Sequence, residues 1–115
     1  MRYEEPRPIS QADAESSFRG TDIEAICRDL VRAAYYVPDW EWLETWCLQF
    51  ARSGNVEVQQ VAATCLGHIA RIHRVVHTDR VVPVLRKMMA EPLLAGAAAD
   101  ALGDVEHYAT TEEEA

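Results

Sequence analysis

The side chains of this 115-residue chain best equipped for chemistry are one cysteine and three histidines close together: Cys65, His68, His73 and His77. Two histidines four residues apart share a zinc ion when both lie on one helix. Here His73 and His77 straddle an expected helix end, and Cys65 lies on an apolar stripe. The ligand rules therefore point away from a metal site, and no cofactor is expected. Asp100 and Asp104 form a second constellation, two carboxylates one helical turn apart. Such a pair suits acid–base work only beside a further catalytic group, and none accompanies them. The chain also lacks a glycine-rich phosphate loop and a nucleophile elbow. The pair reads as a solvated or partner-facing acidic strip, and the chain is not expected to be an enzyme.

The elements that carry these residues are helices. Val58, Val61, Ala62, Cys65, Leu66 and Ile69 fall at steps of three and four, one apolar stripe along a helix from Val56 to Ile72. The stripe returns 36 positions on as Leu94, Ala97, Ala98, Ala101, Leu102 and Val105. It stands 35 positions earlier as Ile23, Ile26, Cys27, Leu30, Val31 and Ala34. Partner stripes precede the two later copies: Leu43, Trp46, Cys47 and Phe50, then Val81, Val84, Leu85 and Met88. Ser53-Gly54-Asn55 and Glu91-Pro92 break each pair into helix, tight turn, helix.

The expected fold is all-α, a single domain over residues 1–115 built as a short stack of antiparallel hairpins. Five main helices are expected. They run from Thr21 or Asp22 to Val37, Trp40 to Arg52, Val56 to Ile72, Thr78 to Ala90, and Pro92 to Tyr108. Thr78 and Asp79 look like the cap of the fourth. Residues 1–20 make either an arm anchored by Phe18 or a sixth, short helix from Ser10 to Phe18. Residues 110–115 form an acidic tail. Gly67 and Gly103 sit inside helices, where glycine costs about 1 kcal/mol relative to alanine; close helix packing is the expected return. Cys27, Cys47 and Cys65 lie on apolar stripes and are expected as buried, reduced thiols.

The segment VVPVLRKMMAEPLLAGAAADALGDV (Val81–Val105) resembles a HEAT repeat. It has a first helix interrupted by Pro83, a short turn, and a second helix ending in Ala-Leu-Gly. Trp40–Ile72 is similar without the proline. The resemblance implies a stack whose second helices line a concave face.

Charge is unevenly placed along the chain, whose net is −8. Met1–Glu44 carries ten acids against five bases, Thr45–Ala90 two against six, and Glu91–Ala115 seven against none. Acidic ends repel phosphate, so direct nucleic-acid binding is not expected; they suit a basic protein partner. No apolar run is long enough for a membrane span and the polar start is no signal peptide. The cytoplasm is the expected compartment.

Opposite the stripes, polar positions form three rows across the array: Asp29, Thr64 and Asp100; Ala33, His68 and Asp104; Tyr36, Arg71 and His107. These side chains are the expected partner-binding face. Trp42 joins them, since Trp40, Trp42 and Trp46 cannot share one helix face and exposed tryptophan favours an interface. The stretch AATCLGHIARIHRVV, followed by an aspartate-led VVPVL helix, resembles small HEAT-like immunity proteins of contact-dependent growth inhibition and other polymorphic toxin systems. That resemblance implies a monomeric inhibitor that covers the active site of a cognate toxin domain, a basic nuclease. The alternative is an adaptor or scaffold that binds an endogenous protein.

Overall fold

The structure, a computed structural model, describes residues 6–109; the acidic tail expected over residues 110–115 lies outside them. Six helices follow one another: α1 (Gln11–Phe18), α2 (Ile23–Tyr36), α3 (Trp40–Phe50), α4 (Val56–His73), α5 (Thr78–Met88) and α6 (Ala95–Tyr108). No β-strand occurs among the described residues. Of the two N-terminal alternatives the short helix holds, as α1, and residues 6–9 ahead of it form an arm outside any helix.

Local chemistry sets most helix starts. The side chains of Ser10, Asp22, Asp39 and Asn55 each accept the backbone N–H three residues on, satisfying one donor that a helix start leaves open. Two expected starts are corrected. Thr78 does not cap α5; it is the first helical residue, and the capping position falls to His77, whose own side chain makes no capping bond. Pro92 does not open α6, because residues 91–94 form a turn in which the Leu94 and Ala95 N–H groups donate to Glu91 O at 3.0 and 2.9 Å. At its far end α4 closes on Arg74, which adopts left-handed φ of 63°. That conformation ends a helix efficiently but is unusual for a residue other than glycine.

The helices pair as α1–α2, α3–α4 and α5–α6. The second members form a layer in which α4 packs between α2 and α6. Leu30, Leu43, Leu66, Ile69, Val81 and Leu85 are fully buried where the helices meet, each contributing about 1.5–3 kcal/mol. Gly67 sets the α4–α6 spacing: a Cβ there would stand 3.1 Å from the Cα of Ala101 and 2.8 Å from a carboxylate oxygen of Asp104. Gly103 has no such role, since a Cβ there meets nothing within 4 Å. Cys47 and Cys65 are buried, Cys27 is half-buried, and all three are free thiols.

Long-range contacts complete the frame. Phe18 of α1 packs against Trp42, Trp46 and Phe50 of α3, with ring centroids 5.4–5.7 Å apart. The carboxylate of Glu44 is buried at 1% exposure. It accepts the His77 backbone N–H at 2.8 Å and lies 2.8 Å from His77 Nδ1. A carboxylate from α3 thus stands at the N-terminus of α5, where the helix dipole favours negative charge, and does what no side chain of the α4–α5 connection does.

Candidate protein-binding face

The outward positions of α4 recur one turn apart as Gln60, Thr64, His68 and Arg71. Thr64 is exposed and its hydroxyl donates to Gln60 O at 3.1 Å, a bond local to the helix. Farther along, the face becomes a cluster. Arg71 Nε stands 3.5 Å from Asp104 Oδ2 on α6, and Arg71 Nη2 contacts His68 Nδ1. The Tyr35 ring of α2 lies 5.3 Å from the His68 ring. Three helices therefore each give a polar or aromatic group to one patch. Asp100 and His107 flank it on α6, both exposed. His68 is held below the ordinary histidine range, first by burial and then by the Arg71 charge, with Asp104 opposing. It is neutral at pH 7, so one nitrogen remains an acceptor. The Arg71–Asp104 pair is part-exposed, a geometry worth at most about 1 kcal/mol to the fold. Its two charges remain available to a partner. Among the described residues no three His, Cys, Asp or Glu side chains are grouped to hold a metal ion.

No protein-family model matches the chain, and no curated protein matches its sequence. A solved structure does. A chain of the CDI complex from Cupriavidus taiwanensis LMG 19424 is 30% identical and superposes at a TM-score of 0.82, over 96% of this chain and 99% of that one. This chain belongs to the same family as that CDI-complex subunit. The likeness to that CDI-complex subunit thus runs over nearly the whole chain.

In this family member the α2 end of the expected face is built differently. Asp29 is not on the surface; it is 3% exposed and paired with Arg28 at 3.1 Å and Arg32 at 2.8 Å. Burial works to raise its pKa, but the hydrogen bonds from Arg28 and Arg32 outweigh it and hold the carboxyl below its usual value. Ala33 is buried as well. The outward face of α2 is one residue out of the expected register, running Arg28, Arg32, Tyr35. Tyr36 is exposed, yet its hydroxyl donates to Pro6 O at 2.8 Å. Arg32 donates to Arg7 O and Pro8 O at 3.0 and 2.8 Å, so both strap the arm to α2. Trp42 is half-buried against Phe18, and its indole N–H donates to Glu15 at 2.8 Å. It joins α3 to α1.

Tyr35 is the residue the sequence reading missed. The polar i, i+4, i+7 run Arg28, Arg32, Tyr35 was the available signal, obscured by carrying the α4 register back by a fixed 35 positions. The residues the structure does bring together are His68, Arg71 and Asp104, with Thr64, Asp100 and His107 around them.

Proposed function

We propose that the chain is an immunity protein of a contact-dependent growth inhibition system: a cytoplasmic, monomeric, non-enzymatic inhibitor that binds a cognate toxin domain and covers its active site. The observation that carries this reading is the full-length likeness to a subunit of a CDI complex. The face formed by α2, α4 and α6 supports it physically. A helical stack presents such a face to a partner, and this one carries exposed Asp100 and half-exposed Asp104 beside Tyr35, His68, Arg71 and His107. Acidic groups attract a basic nuclease at long range and raise the association rate. The aromatic and arginine side chains supply the contacts that hold such complexes.

The first test is biological. Expression of the gene adjoining this one should arrest growth, and co-expression of this chain should restore it. Failure to rescue, with no complex formed on mixing the purified proteins, overturns the reading. The second test locates the face. Asp100→Lys combined with Asp104→Asn should slow association about tenfold at 0.1 M salt, where the Debye length is ~10 Å, and much less at 1 M, where it is ~3 Å. Asparagine is preferred at 104 because a lysine there would press against Arg71, 3.5 Å away. Association as fast as the parent's at low salt removes α6 from the recognition surface.

A further inference from the structure

A groove of about 880 Å³ opens between the turn joining α3 to α4 and the turn joining α5 to α6. Val56, Pro83, Val84, Met88, Pro92 and Leu93 give it an apolar lining. It begins at Val56, while the His68–Arg71–Asp104 cluster sits near the other end of α4. At 1.5 Å per residue, the 15 residues from Val56 to Arg71 separate the two by about 22 Å. The groove is therefore distinct from the face described above.

Its rims are held in place. Gln59 and Gln60 are neighbours on α4, and their side-chain amides donate in different directions. Gln59 reaches Ala51 O at 2.8 Å and ties down the end of α3; Gln60 reaches Leu93 O at 2.7 Å and ties down the α5–α6 turn. Leu93 is thus fixed at its backbone while its side chain is 68% exposed, more than any other large apolar side chain described. A backbone already held in place loses little further entropy when a ligand covers its side chain. The charges around the groove are also one-sided. Arg52 and Lys87 line it against the single acid Glu91, and neither cation has a salt bridge among the described residues.

We propose that this groove is a second docking site, for a protein segment that carries bulky apolar side chains flanked by carboxylates. The apolar side chains would cover Leu93 and Val56, and the carboxylates would meet Arg52 and Lys87, charges opposite to those the acidic α6 face attracts. The proposal does not rest on the immunity reading. Either can fail alone, because the tests use different probes and different residues.

The experiment is an amide NMR titration of the full chain with two synthetic hexapeptides, acetylated and amidated. One is Asp-Leu-Asp-Phe-Asp-Leu; in the other, lysine replaces each aspartate. The expected result is a set of shifts confined to Arg52, Gly54, Gln59, Lys87 and Leu93, with the acidic peptide binding at least tenfold tighter. Leu93→Asp and the milder Leu93→Ser should each weaken it at least tenfold. Arg52→Glu with Lys87→Glu should invert the charge preference, and Asp104→Asn should change nothing. Equal binding of both peptides, dispersed shifts or no shifts up to millimolar peptide overturns the proposal. So does self-association of the peptide-free chain in sedimentation that Leu93→Asp abolishes, since the occupant would then be a second copy.

Discussion

Replacing Glu44 with alanine should remove a large part of the stability of this fold. The carboxylate is 1% exposed and has two partners at 2.8 Å, the backbone N–H and the Nδ1 of His77. Hydrogen bonds to a charged group contribute about 1.5–3 kcal/mol each, and an orphaned buried donor adds a penalty of similar size. The His77 side chain is 20% exposed, so water can reach part of what is lost, and the lower end applies. About 3 kcal/mol is a large fraction of the roughly 5–15 kcal/mol that holds a domain folded. For a chain of this size it corresponds to about 10–20 °C in Tm. Glu44→Gln keeps the volume and leaves an oxygen for the His77 N–H, but loses the negative charge at the start of α5, so about 1–2 kcal/mol is expected. Urea denaturation at pH 7, followed by far-UV circular dichroism and tryptophan fluorescence, measures both. A loss below about 1 kcal/mol for alanine, or equal losses for alanine and glutamine, would show that Glu44 does not anchor α5.

The Leu-Gly pairs of α4 and α6 should respond to alanine with opposite signs. At Gly67 the contact at 3.1 Å is with backbone, and overpacking of about 1–3 kcal/mol exceeds a propensity gain of about 1. At open Gly103 only the gain remains, and the two urea midpoints should move apart. Stability should also fall as pH drops from 7 towards 5. His68 and His73 are held below the usual histidine range, chiefly by burial. The unfolded chain therefore binds protons first, and their contribution is complete above the unfolded histidine pKa of about 6.5 and lost below it. A midpoint flat between pH 7 and 5 contradicts this. Asp29→Asn should loosen Arg32 from the arm carbonyls it holds, read as roughly tenfold faster proteolytic cleavage within residues 6–10, an opening less costly by about 1.4 kcal/mol. Unchanged cleavage would mean that Tyr36 alone secures the arm.

What was legible in the chain was what local rules encode. The Val58–Ile69 stripe and its copies located α2, α4 and α6, because apolar side chains at steps of three and four must face one neighbour. Ser10 and Asp22 marked helix starts through bonds that span three residues. The misreadings share a physical cause. Glu44 caps α5 from 33 residues away, and Arg32 meets the arm across 24 and 25; no periodicity records such pairings. Asp29 looked like a surface acid because acids usually are, yet two adjacent arginines permit its burial. The candidate face was legible on α4 and α6, where the stripe registers match. It slipped on α2, where arm and helix share the outer surface.

The three cysteines sit on three successive helices at graded depth: Cys27 half-buried on α2, Cys47 and Cys65 sealed on α3 and α4. Their reactivity is graded with them. Burial pushes the Cys27 thiol up; the neighbouring Cys65 thiol, and burial after it, push Cys47 much farther. A thiol reagent attacks only the ionised, accessible sulfur, so half-buried Cys27 reacts in the folded chain, slowed by its raised pKa, while sealed Cys47 and Cys65 react only when the stack opens. Cys27 serves as the internal reference, and the Cys47–Cys65 pair reports separation of α3 from α4. The native sequence thus carries its own clock for opening events, readable without a label, and a bound partner that clamps the stack should slow the deep pair more than the shallow one.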